Sequence, residues 1–213
     1  MTTGKASREG VPPGVPRDYL LVLPDGWFRI GLEPGERERS ARALADRQFR
    51  GLRDSAPRLK AELRDRLLRQ AEAAYQAGGI ELYLSVRDAA GMPIAASLLV
   101  SLVPPPPGGP VPVGQLARAC TGDRRTVDVT ELPAGPAVRV RQHTDPADPA
   151  GARDGGDVPG GAPGPRVTNV DVHVQVPGSG AYLLLSFSTP LEPLAAAMAE
   201  LFDAISGTLR WVP

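Results

Sequence analysis

Between Asn169 and Val176 the chain alternates strictly: Val170, Val172, Val174 and Val176 are separated by Asn169, Asp171, His173 and Gln175. A period of two is the signature of a strand with one apolar and one polar face. Pro177-Gly178-Ser179-Gly180 then supplies turn residues, and Ala181 to Ser188 forms a second long extended run. Parallel neighbours need a crossover of about a dozen residues or more, whereas a short turn suits antiparallel ones. This pair commits the fold to an antiparallel sheet.

The rest of the chain adds strands and helices to that hairpin. Tyr19–Leu23 reads as a strand, Pro24-Asp25-Gly26 as a turn and Trp27–Ile30 as a returning extended segment. Glu36–Arg50 has helical spacing through Ala41, Leu44, Ala45, Gln48 and Phe49, continuing to Leu52. A second helix is expected from Pro57 to the Gly78-Gly79 stop, with Leu59, Leu63, Leu67, Ala71, Ala74 and Tyr75 as its apolar stripe. Ile80, Leu82, Leu84 and Val86 return to period two. Ile94–Val103 is apolar enough for a central strand, and Val113–Cys120 suits a short helix. Two more alternating runs centre on Val127/Val129 and Val138/Val140. The chain ends in a helix: Thr189-Pro190-Leu191-Glu192 matches a capping box, and Leu191, Leu194, Met198, Leu201 and Ile205 recur at helical spacing. Gly207 can end that helix, with Trp211 folding back onto the domain.

This order predicts an α+β protein with a single, mainly antiparallel sheet flanked by helices, either an αβα or a two-layer sandwich. Residues 1–17 read as a flexible tail and 18–213 as one domain. Pro104–Pro112 is a proline-rich loop. The stretch Asp145–Pro165, within an insertion spanning 145–166, is rich in Gly, Pro, Asp and Ala and offers almost nothing to bury, so it is expected to be disordered.

The order of elements resembles the Mog1/PsbP-like fold. The likeness rests on Leu23-Pro24-Asp25-Gly26-Trp27 near the start. It rests also on Leu183-Leu184-Leu185-Ser186-Phe187, which leads into a helix bearing Leu201-Phe202-Asp203-Ala204-Ile205. The resemblance implies an antiparallel sheet with flanking helices and a non-catalytic accessory or partner-binding role. The paired helices between Glu36 and Ala77 and the 145–166 insertion depart from that pattern.

Composition narrows the function classes. The formal net charge is zero, so no whole-molecule field draws the chain to nucleic acid, and nucleic-acid binding is not expected. Of 24 basic residues 22 are arginine, which fits a high-GC bacterial genome. The Met1–Pro16 stretch lacks the apolar core of a signal peptide, and no apolar run is long enough to span a bilayer, so the expected location is cytoplasmic. Cys120 is the single cysteine, and nothing beside it in sequence marks an activated thiol. There is no Walker loop, GxGxxG, GxSxG or HExxH, so no catalytic residue, cofactor or metal is assigned.

Two surfaces remain as candidates. Arg39, Arg42, Arg50 and Arg53 fall within about a quarter of a helical circumference, a stripe able to dock an acidic surface. If the strands holding them pair, Arg139, Arg141, His143, Asp171 and His173 are expected on one polar sheet face. The first reading is a cytoplasmic, non-catalytic accessory protein that binds a protein partner, a second copy of the chain being among the candidates. The alternatives are a carrier holding a small ligand or lipid between sheet and helices, and a hydrolase using His143 or His173.

Overall fold

A computed structural model describes residues 14–49, 57–89, 92–144 and 166–213. In chain order the strands are β1 (Asp18–Leu20), β2 (Trp27–Ile30), β3 (Gly79–Ser85), β4 (Asp88–Ala89), β5 (Met92–Pro93), β6 (Ser97–Val103), β7 (Arg125–Leu132), β8 (Gly135–Thr144), β9 (Val167–Gln175), β10 (Tyr182–Thr189) and β11 (Arg210–Val212). The helices are α1 (Pro34–Gln48), α2 (Pro57–Gln76), α3 (Val113–Cys120) and α4 (Ala195–Ser206). Most of residues 1–17 and of the 145–166 insertion lie outside the described residues, as do Arg50 and Arg53.

The valine run behaves as its alternation requires. β9 and β10 pair antiparallel, Tyr182 opposite Gln175 through Thr189 opposite Thr168. They lie inside a seven-stranded sheet of order β2-β3-β6-β10-β9-β8-β7, in which every neighbouring pair is antiparallel. β6 and β7 therefore run the same way, and the connection that joins them contains α3. The chain is an α+β protein.

Register separates the two faces. On one, Leu98, Val100, Val170, Val172, Val174, Leu183, Leu185 and Phe187 are buried against Met198, Ala199, Phe202 and Ile205 of α4. The Phe187 and Phe202 rings stack at 4.7 Å. On the other, Ile30, Leu82 and partly buried Phe28, Leu84 and Leu99 meet Ala41, Leu44, Leu67, Ala71 and Ala74 of α1 and α2. α3 lies over β7 and β8. Each large apolar side chain moved from water into these layers contributes about 1.5–3 kcal/mol.

Four expectations need correction. The α4 stripe is rotated: Met198, Ala199, Phe202 and Ile205 are buried, Leu201 is half-buried and Leu194 is 41 % exposed. Stacking on Phe187 fixes the angle of the helix, which spacing alone left open. The capping box does not form. Thr189 Oγ1 donates instead to Ala95 O at 2.8 Å, a 3-10 turn (Glu192–Leu194) precedes α4, and Glu192 pairs with Arg166. Ile80 does not join Leu82 in the core, because a bulge between Gly79 and Glu81 leaves it exposed. Gly79 sits so close that a Cβ there would lie 2.7 Å from Ala74 O and 2.6 Å from Leu99 Cδ1. Finally, β1 is shorter than Tyr19–Leu23. It pairs not with the returning segment but with β11, where Trp211 Nε1 donates to Ala134 O at 2.7 Å.

Candidate functional site

α1 and α2 pack side by side over the β2–β3 end of the sheet. Arg37, unmarked by the sequence reading, joins them. It is buried, donates through Nε and Nη2 to Leu32 O at 3.1 and 2.7 Å, pairs with Glu72 and lies over the Tyr75 ring. Planar, delocalised and persistently charged, a guanidinium can satisfy a carbonyl, a carboxylate and an aromatic face together. The outward sides of the two helices leave a groove of about 410 Å³ lined by Arg42, Ala45, Asp46, Pro57, Lys60, Ala61 and Arg64. Its floor includes alanines, and its rim carries three cations against one carboxylate.

The arginine stripe contributes to this place only in part. Arg39 and Arg42 are exposed on α1, Arg42 at 3.5 Å from Glu38. Arg50 and Arg53 lie outside the described residues. The structure adds Lys60, 2.5 Å from Asp46, and Arg64, 3.0 Å from Asp65. Exposed ion pairs of this kind are worth about 0–1 kcal/mol, so these cations can exchange their neighbours for an incoming anion. Sequence analysis missed Lys60 and Arg64 because they sit on the other helix. Their i,i+4 spacing, one turn apart, was the available signal.

The shared polar sheet face does not exist. β8 and β9 do pair, but Arg139 stands opposite Val172 and Arg141 opposite Val170, whereas Asp171 stands opposite Val140 and His173 opposite Val138. Residues directly opposite share a face, so the register sends the arginines to one side and Asp171 and His173 to the other. His143 pairs with Thr168, in the same backbone row as the arginines.

On the α4 side Arg139 bridges two carboxylates, with Nη1 2.5 Å from Asp203 and Nη2 2.9 Å from Asp128. Arg141 approaches Asp203 at 3.5 Å. The hydrogen bond to Asp128 leads in holding the Arg139 guanidinium above its usual value. Its Nε is buried and has no hydrogen-bond partner among the described residues. This network ties α4 to the β7–β8 hairpin.

On the other side Asp171 and His173 lie in a half-buried strip of β9 and β10 with Leu184 and Ser186. Burial pushes the Asp171 carboxyl up, against a hydrogen bond from Ser186 and the charges of His173 and Arg125. Burial pushes His173 down, against the attraction of Asp171. Both shifts have the same cause, since burial disfavours the ionised form of each group. Cys120, at the end of α3, has its thiol pushed up by burial, opposed by Arg125 and reinforced by Asp171; this disfavours the nucleophilic thiolate. Among the described residues no three His, Cys, Asp or Glu side chains converge to hold a metal ion.

A further polar cluster went unread. Glu81 accepts from the Tyr19 hydroxyl and, at 3.1 Å, from that of Tyr83, and its other oxygen lies 3.0 Å from Arg29 Nε. Burial leads in pushing Tyr83 up to about 12, and it pushes Tyr19 up further. Both phenols stay protonated and donate, and the Tyr19 bond fastens the β1–β11 ribbon to β3.

Among the described residues no helix is long and apolar enough to cross a membrane. Compared with known proteins, the chain matches no family model, no curated protein and no solved structure.

Proposed function

We propose that the chain is a non-catalytic, cytoplasmic accessory protein that binds an acidic protein surface in the α1–α2 groove. The observation that carries this reading is the groove itself: Arg42, Lys60 and Arg64 ring an alanine-containing floor, with Arg39 exposed further along α1. Cations on both helices converge on one concave place, and surface ion pairs hold them only weakly. The Mog1/PsbP-like order of elements belongs to the same proposal, since it implies a partner-binding role.

Reversing Arg42 and Arg64 to Glu tests the reading. The double variant is expected to melt with the native protein and to lose its partner, and native binding is expected to weaken steeply with salt, because exposed charges are screened beyond about 8 Å at physiological ionic strength. Unchanged binding in the folded variant refutes it.

One observation favours a second reading, a hydrolase. His173 and Asp171 share one half-buried face of β9, where Ser186 of β10 hydrogen-bonds Asp171. Loss of a hydrolytic activity in His173→Gln, with the groove variant unaffected, would favour that alternative.

A further inference from the structure

β7 is the last strand of the sheet, so one of its edges takes no strand among the described residues. Its eight residues, Arg125 to Leu132, follow β8 without a register shift. It contains no proline, lysine or bulge, four of its members are β-branched, and three, Arg125, Asp128 and Glu131, are charged. Val129 is 60 % exposed.

The hydrogen-bond alternation of the sheet decides which backbone groups face outward. Val176 N–H donates to Ala181 O at 2.9 Å, so the even-numbered residues of β9 bond to β10 and the odd-numbered ones turn to β8. Carried through the β9–β8 register, the odd-numbered residues of β8 bond to β7. In β7 the bonded row is Thr126, Asp128, Thr130 and Leu132. The N–H and C=O groups of Arg125, Val127, Val129 and Glu131 therefore point off the sheet.

We infer that this edge pairs antiparallel with the same edge of a second copy of the chain, about a two-fold axis at Asp128. In a two-fold pair the outward rows must meet, and opposed residues must share a face. With the axis at Asp128, Val127 meets the partner's Val129 and Arg125 meets the partner's Glu131, each contact occurring twice. Moving the axis to Val127 sets Arg125 against the partner's Val129 and leaves Glu131 opposite no residue of the partner's β7. Moving it to Val129 sets Val127 against the partner's Glu131 and leaves Arg125 opposite no residue of the partner's β7. Only the Asp128 register pairs opposite charges and covers Val129 with an apolar neighbour. The two Asp128 residues meet at the axis on the opposite face, a like-charge contact that each subunit's Arg139, shared between Asp128 and Asp203, neutralises in part. The two seven-stranded sheets become one.

Sedimentation velocity of the full chain, with circular dichroism to confirm folding, tests this. The native protein is expected to sediment at twice 22.4 kDa. Arg125→Glu and Glu131→Arg are each expected to weaken the dimer by roughly tenfold or more, and the combined exchange to restore it. Val129→Lys, at an exposed position, is expected to give a folded monomer whatever the charge variants do to folding. A native monomer, a dimer indifferent to Val129→Lys, or folded single reversals whose combination fails to restore pairing would each overturn the inference. A native monomer would leave the α1–α2 groove reading untouched.

Discussion

Replacing Phe202 by alanine removes the side chain on which the α4 face is built. Phe202 is fully buried, stacked at 4.7 Å and 17° on Phe187. Deleting a buried phenylalanine costs about 3–5 kcal/mol through lost transfer energy and the cavity left behind. Within that total, an aromatic pair adds about 0.5–1.5 kcal/mol beyond its buried area. At roughly 2–4 °C per kcal/mol for a chain of this size, the melting temperature should fall by about 6–20 °C. Leu201 immediately precedes Phe202 but is only half-buried, so Leu201→Ala should cost clearly less. Thermal and urea melts of the two variants side by side provide the assay. A Leu201→Ala loss equal to or larger than that of Phe202→Ala would refute the orientation assigned to α4.

Two further outcomes follow from local geometry and charge. Gly180 has φ +71° and stands where a Cβ would lie 2.7 Å from Pro110 Cγ, so Gly180→Ala should destabilise by roughly 1–3 kcal/mol in a urea melt, while Gly114→Ala, which meets open space, should not. His173 has its folded pKa lowered by burial, so the unfolded chain takes up the proton first and stability falls as pH drops below about 6.5. His173→Gln should therefore gain on the native protein between pH 7.5 and 5.5 in paired urea melts; a constant difference across that range would contradict the burial argument.

Much of the fold was legible because hydrophobic periodicity reports directly on which side of an element is covered. Val170 to Val176 alternated and became a central hairpin strand, and Val113–Cys120 became α3 with the expected bounds. What periodicity could not supply was register and rotation. The same alternation that placed Arg139 and Asp171 on polar positions says nothing of which rows stand opposite, and the observed pairing sends them to different faces. Leu201 and Phe202 are both apolar at helical spacing, and only the Phe187 ring across the interface selects between them. The groove was half legible: Arg39 and Arg42 were visible as one face of one helix, while Lys60 and Arg64 belong to it through helix packing. Arg37 and Glu81 were missed because each is defined by contacts from several elements.

The central claim is that the outward side of the α1–α2 hairpin is where a protein partner sits. Placing a photo-crosslinking residue at Arg39, exposed beside the groove, and separately at Ala204, exposed on α4 on the opposite side of the sheet, tests it directly in the native host. The account expects one acidic protein crosslinked from position 39, lost when Arg42 and Arg64 are reversed to Glu, and absent from position 204. Crosslinks from 204 and not from 39, or crosslinks from 39 that persist through the charge reversal, would contradict it.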